Sequence, residues 1–375
     1  SDKKGAYGWN QAIRPEINSA AVFVEDEKEA KSIREAGIGA MLVHVQDGIA
    51  RGTGALVMPV DNPRDAIIRP EASAHYSFRK GSSKQNYPSS LMGSTALIRQ
   101  THYDALWYSE ASKRGLSGGT NLSLEAFNSS QELPQIFSAG NWKDVLRATT
   151  IGEEFGIDYI VLGGGNSYQR ADAIAETGAT VIVPVTYPKA YDLSDPFLAR
   201  FVSLTELKHW ELAPSNAAIL NEAGVEICFT SDGLKSPAEF LPAVRKAVER
   251  GLPESEALAA LTTNPAKSVG AENLVGSLKS GLMANVLVAD GLLFNKETKL
   301  VEHWVSGEPT ILFDRNALDL GGNYSLTIGA NTADLVIEGE VGKWKAKEQV
   351  NDSTSNKVDI SLDGRSVVLG LKKDD

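Results

Sequence analysis

Hydrolytic or transfer chemistry needs acids, bases, nucleophiles or metal ligands at workable spacings, and five histidines are the first candidates: His44, His75, His102, His209 and His303. No two lie within four residues of each other, so neither His-x-His nor His-Glu-x-x-His occurs. Zinc hydrolases draw several ligands from neighbouring strand ends, which makes the intrinsic metal signal weak. His44 falls inside an apolar run and reads as a satisfied core histidine; His102 and His209 fall on helical patterns as structural or surface residues. Cys228, between Ile227 and Phe229, predicts a buried, inert thiol. Gly115-Leu116-Ser117-Gly118-Gly119 has the Gly-x-Ser-x-Gly spacing but follows a helical pattern instead of a strand, so it is no nucleophile elbow for Ser-His-Asp chemistry. Gly163-Gly164-Gly165 stands where a phosphate loop would, but Tyr168 takes the third Rossmann glycine position and no Lys-Ser/Thr pair follows. The three glycines read as a tight turn. Two features stay open. Asp232 falls just past an apolar strand and before Gly233, at the edge where barrel enzymes work, and is either a functional acid or a helix cap. Arg51-Gly52-Thr53-Gly54 reads as a positively charged turn between two strands, which receives a carboxylate or is a plain bend.

The elements that must position these residues have a clear rhythm. From Asp26 to Thr230 helical patterns alternate with short apolar runs: Gly39–Val45, Gln135–Ala139, Asp158–Leu162, Ala179–Pro184 and Val225–Thr230. Helices are predicted over Asp26–Ala36, from Pro88-Ser89-Ser90 onward, and over Lys143–Phe155, Gln169–Glu176, Leu204–Trp210, Asn216–Glu222 and Pro237–Arg250. Runs apolar on both faces imply parallel strands covered by helices. A strand every ~20–25 residues is a βα repeat, either a (β/α)8 barrel or an open doubly wound sheet. About six strands precede Asp232, too few for a whole barrel. A helix break is expected at Asn264-Pro265, because proline disfavours helical geometry in the residue before it. After Gly270 the texture turns to period-2 alternation, with strands at Ala284–Ala289, Leu300–Val305 and Thr310–Phe313. The tail adds Tyr324–Ile328, Asp334–Glu338, Lys357–Leu362 and Arg365–Leu371.

The 375 residues are 42% hydrophobic and 23% charged, with a net charge of -11, a composition that supports a full core and opposes binding to nucleic acid phosphates or anionic membranes. One cysteine excludes an internal disulfide framework and any multi-cysteine metal site. No apolar run approaches the roughly 18 residues of a membrane span. The opening Ser1-Asp2-Lys3-Lys4 has neither an initiator methionine nor a leader pattern, so a mature or partial chain is expected.

Several stretches resemble the amidohydrolase superfamily of metal-dependent hydrolases, in its imidazolonepropionase- and prolidase-like branch. The strongest is Ala260-Leu261-Thr262-Thr263-Asn264-Pro265-Ala266-Lys267, followed by Val275-Gly276-Ser277-Leu278-Lys279-Ser280-Gly281 and Ala284-Asn285-Val286-Leu287-Val288, with Asn285 where the family has Asp. Phe229-Thr230-Ser231-Asp232 is similar to the strand ending in the metal-site aspartate, and Gly52-Thr53-Gly54-Ala55 to a Gly-Gln-Gly-Ala turn. The resemblance runs from about Ile13 to Asp314. It implies an incomplete or distorted (β/α)8 barrel over residues 1–268 lacking its first strands and a return segment to a small β-sandwich over 269–314, after which the period-2 alternation makes 315–375 an all-β appendage.

Against that family the ligand histidines are missing. The matching positions carry Ser138 and Gly163, leaving Asp232 as a vestigial ligand, and one carboxylate cannot hold a catalytic zinc. Without a cation, Asp232 is expected to take neutral donors from Asn141 or Asn166, in a pocket with Arg51. Ile13-Arg14-Pro15-Glu16 and Tyr87-Pro88-Ser89-Ser90-Leu91-Met92-Gly93 are similar to the degenerate N-terminal half of large tandem amidohydrolase proteins of Bacteroidetes-type bacteria. That resemblance implies no cofactor in this chain, zinc only in a catalytic partner half, peptide or small amide as ligand, and a periplasmic or cell-envelope location. Three readings remain: a non-catalytic half that scaffolds or gates the catalytic one; an active hydrolase using Asp232 with unrecognised ligands such as His44 or His102; and a peptide- or glycan-binding module.

Overall fold

The computed structural model describes residues 10–24, 26–62, 65–195, 197, 200–313, 320–328, 331–339, 344–351, 354–363 and 366–371. A helical turn, α1 (Ser19–Val22), precedes the charged helix α2 (Glu27–Glu35), whose first amides are capped by the Asp26 carboxylate at 2.9 and 3.0 Å. Three strands follow: β1 (Met41–Val43), β2 (Ala50–Val57) and β3 (Ile67–Ser77). The long helix α3 (Leu91–Lys113) opens where the sequence places it, with the Gly93 amide donating to the Ser90 hydroxyl at 3.1 Å. Helix α4 (Leu122–Ser129) leads to β4 (Gln135–Ser138) and α5 (Trp142–Phe155). Next come β5 (Ile160–Leu162), α6 (Ala171–Ala175), β6 (Val181–Pro184), α7 (Leu204–Leu212) and α8 (Asn216–Glu222). Strand β7 (Ile227–Thr230) is followed by α9 (Phe240–Glu249), α10 (Glu254–Leu261) and α11 (Thr263–Ser268).

Strands β1 to β7 form one sheet in sequence order. The first two pairings are antiparallel and the next four parallel, so helical crossovers and parallel strands build a curled half-barrel. Among the described residues β7 does not pair with β1, and the ring stays open. One face of the sheet packs Phe137, Val161, Val181 and Ile227 against Val145 and Leu220 of the helices, all in one buried core. The other face of the short strands is only half buried: Ile160, Leu162 and Ile182 alternate with fully buried neighbours. Apolar residues on both faces therefore signal a barrel interior here without signalling complete coverage.

One expectation needs correction, one strand is unanticipated, and the expected helix break is present two residues early. Arg51-Gly52-Thr53-Gly54 is not a turn: all four residues lie inside β2, whose register against β3 shifts at three places. Strand β3 has no counterpart in the sequence reading: Pro70 and Glu71 interrupt its apolar pattern and are exposed, while Ala72–Ser77 beyond them is buried. The helix break falls at Thr262 (φ -131°, ψ -81°), placing Asn264-Pro265 in the first turn of α11, where proline is tolerated.

The chain divides into two compact units, Ser1–Thr310 and Ile311–Asp375. The first also carries β8 (Val286–Ala289) and β9 (Leu300–Val305), and β10 (Glu308–Ile311) spans the junction; these three form a sheet. Asn285 shows why an amide suits the position: its Nδ2 donates to Gly39 O at 3.2 Å while its Oδ1 accepts from Ser306 N at 2.8 Å, and a carboxylate could not do the first. The second unit is a five-stranded antiparallel meander of β11 (Gly322–Ile328), β12 (Asn331–Glu338), β13 (Lys345–Asn351), β14 (Thr354–Asp363) and β15 (Ser366–Leu371). Leu335, Ile337, Ala346 and Val358 form its core. Of these strands, β13 has no counterpart in the sequence reading, since its Lys, Glu and Gln residues mask the alternation.

The strand-to-helix loops at the edge of the sheet touch each other directly. A side-chain carbon at Gly164 would collide with the backbone carbonyl of Gly140, whereas one at Gly140 would meet only the ends of Asp144 and Arg79, at 3.6 and 3.8 Å. Gly164→Ala should therefore lower the free energy of unfolding in urea by roughly 2–4 kcal/mol, against under about 0.5 kcal/mol for Gly140→Ala.

Candidate functional site

Because β3 to β7 are parallel, their C-terminal ends share one edge, and the chain places Ser77, Ser138, Gly163, Pro184 and Asp232 at or just past those ends. Strand β2 runs the other way, with Ala50 opposite Tyr76, so its first residues reach the same edge. Arg51 enters the site by this route. It is only 8% exposed; its Nε donates to Gly48 O at 3.0 Å and its Nη1 to Ser138 Oγ at 3.1 Å. No carboxylate lies within 4 Å of it among the described residues. The acid with the largest influence on it, Asp47, is taken by Arg14 at 2.8 Å and by Ser82. Burial opposes the Asp47 charge, but the Ser82 hydrogen bonds and the Arg14 and Arg51 charges outweigh it and hold the carboxyl below its usual range. Burial likewise pulls the Arg51 pKa down, although a guanidinium remains charged at any ordinary pH.

Beside Arg51 lies a pair of imidazoles that the sequence reading separated. His44, one residue past β1, stacks on His75 of β3 with ring centroids 3.8 Å apart and planes within 6°. Gly54 makes this possible: a side-chain carbon there would lie 2.5 Å from His75 Nε2 and 2.8 Å from Ser73 Oγ. His75 Nε2 is hydrogen-bonded to Ser73 Oγ at 2.8 Å, and its Nδ1 is buried with no partner. Burial first, then the Arg51 charge, lowers the His44 pKa to about 4; burial, His44 and Arg51 lower that of His75 well below its ordinary value. Both rings are neutral near pH 7. A pattern that could have revealed the pair is Gly52 and Gly54, two residues apart, which strip the side chains from one face of β2.

The remaining candidates go elsewhere. Asn141 caps α5, accepting from the Lys143 and Asp144 amides and donating to Asp144 Oδ2, and Asn166 Oδ1 accepts from Trp142 N. Neither serves Asp232, whose exposed carboxylate has no hydrogen-bond partner among the described residues; its backbone carbonyl accepts from Thr186 Oγ1. A side chain at position 163 would meet Ser167 Oγ at 3.1 Å and Val181 Cγ1 at 3.4 Å, in the direction of the packed core. His102 is buried against Phe155 and Tyr159, His303 bonds Arg34 O, and Cys228 is buried with its pKa raised to about 11, chiefly by burial; all three are structural.

Zinc does not fit this edge. Among the described residues no three His, Cys, Asp or Glu side chains gather as a metal would need. Two face-to-face imidazoles point their lone pairs along parallel planes instead of at one point. Ser138 already holds a guanidinium, whose charge repels a cation.

Comparison with known proteins supports the architecture. The amidohydrolase family pattern matches residues 213–314. No curated protein sequence matches the chain. A crystal structure of an amidohydrolase from Thermotoga maritima MSB8 superimposes with a TM-score of 0.64 at 22% identity, over 82% of this chain and 83% of that one. A prolidase complexed with N-methylphosphonate-L-proline (19% identity, TM-score 0.36) is covered over 49% of its length by 52% of this chain. A Xaa-Pro dipeptidase with bound methionine (16%, TM-score 0.32) is covered over 57% by 50% of this chain. At those two scores the likeness adds nothing to the fold. The chain is a mixed α/β protein of amidohydrolase fold. The resemblance to the amidohydrolases thus holds in the matched segment and in the fold of the superimposed 82% of the chain.

Neutral histidines set a pH dependence. Burial lowers His44 and His102 to about 4, from about 6.5 in an unfolded chain. The unfolded chain therefore binds more protons, and the stability these groups confer is complete above pH 6.5 and lost as the pH falls from there through about 4. Each accounts for about 2 kcal/mol lost by pH 5. Unfolding titrations at pH 7 and 5 should show that loss, and His44→Gln should reduce it by about one such share.

Proposed function

We propose that this chain is an amidohydrolase-fold half that binds and positions, without itself carrying metal, and that it scaffolds or gates a metal-bearing partner half that hydrolyses amide or peptide-like bonds. The observation that carries this reading is the Arg51–Ser138 contact. The strand end that the family resemblance reserves for a ligand histidine holds a hydroxyl bound to a buried guanidinium at 3.1 Å. Position 163 supplies no side chain, and the Asp232 carboxylate is exposed with no hydrogen-bond partner among the described residues. The periplasmic or cell-envelope location implied by the resemblance belongs to the same proposal; no helix among the described residues is long and apolar enough to cross a membrane.

The test is metal content. Purified chain incubated with excess zinc and then desalted should retain far less than one equivalent, and Asp232→Asn should not lower that residue further. One tightly held equivalent, lost in Asp232→Asn, would establish a catalytic-type site and overturn the reading.

A further inference from the structure

We propose that the edge of the half-barrel binds a single carboxylate, received by the Arg51 guanidinium and the Ser138 hydroxyl, with the Arg79 guanidinium flanking it. This deepens the binding role proposed above by naming its ligand class.

Arg51 is nine-tenths buried and unpaired, an arrangement that is unfavourable unless an anion completes it. Its donors are unevenly used. Nε and Nη1 are committed to Gly48 O and Ser138 Oγ, while Nη2 has no partner among the described residues. Ser138 accepts from Nη1, so its own O–H is free to donate. Nη2 and the Ser138 hydroxyl thus offer two adjacent donors beside one charge, the pattern that two carboxylate oxygens satisfy. Arg79 is exposed and makes no ion pair among the described residues, and its Nη2 comes within 3.8 Å of a side-chain position on Gly140, two residues past Ser138.

The charge count selects a monoanion. Arg51 and Arg79 are positive, Asp232 is negative, Asp47 is neutralised by Arg14, and Asp144, which also reaches the Gly140 position, is neutralised by Arg147. His44 and His75 are neutral near pH 7, since burial and Arg51 hold them so. One positive charge is left over. A dianion would be undercompensated there, and a neutral amide would leave the guanidinium as it was.

N-acetylglycine is the probe and N-acetylglycinamide its uncharged control. The acid should raise the melting temperature in a concentration-dependent way and titrate in calorimetry, while the amide does neither at the same concentrations. Arg51→Gln should abolish the heat signal, Ser138→Ala should weaken binding by about 3–10-fold, and Arg79→Gln by a similar factor. Ser138→Ala and Arg79→Gln keep the buried cation and guard against a folding defect in Arg51→Gln. Equal binding of acid and amide, no binding of the acid up to about 50 mM, or undiminished binding in all three variants would overturn the proposal. The two readings fail separately. A zinc-free chain that ignores the acid loses only this inference, whereas a zinc-holding chain that binds the acid through Arg51 loses only the non-catalytic one.

Discussion

The Arg51 guanidinium is the constraint around which this edge of the sheet is arranged. Removing an ion from water without pairing it costs several kcal/mol, so a fold that buries one must provide hydrogen bonds and keep the titratable groups buried beside it neutral. Gly48 O and Ser138 Oγ provide the first. The second shows in the imidazoles: His44 and His75 sit close enough for Arg51 to lower their pKa values, and both remain neutral. Their stacking at 3.8 Å depends on that neutrality, since two imidazolium rings face to face would repel.

Local signals made much of the architecture readable from the amino acids. The helix caps at Asp26, Ser90 and Asn141 bond to amides two or three residues on. The strands β4 to β7 are short apolar runs next to helices that bury them, and each is recognisable without knowing its partner. What stayed hidden depends on distant pairs. Arg51 and Ser138 are 87 residues apart, and nothing near either one announces the other. His75 looked unremarkable because its environment is made by Gly54 on another strand. Asn141 and Asn166 were assigned to the wrong partner for the complementary reason: their local capping and loop-bracing duties are strong enough to remove them from the site.

The same distinction separates fold from chemistry in the amidohydrolase resemblance. The segment that matches the family, residues 213–314, spans α8, β7, the broken helix pair α10–α11 and the return strands β8 and β9. These residues serve packing: Ala257, Ala260 and Ala266 are buried, and Gly276 fits against the Thr262 carbonyl. Asp232 is the residue in that stretch to which the family resemblance assigns a metal contact, and it is exposed. Sequence similarity there therefore reports how the barrel is built and says little about what its open edge does.

Electrostatics decides that second question. A metal bound by Ser138 Oγ at about 2 Å would lie within about 5 Å of Arg51 Nη1. With an effective dielectric of about 20, a dication at that distance is repelled by a unit charge by roughly 6–7 kcal/mol. Asp232, exposed to solvent and screened by it, returns only a fraction of that. Relieving the repulsion would require moving Arg51 outward, breaking its bonds to Gly48 and Ser138 and leaving space where the β2 strand now packs against Ile17 and His75. The arginine and the metal are thus alternative occupants of one electrostatic position, and in this chain the arginine is built into the strand.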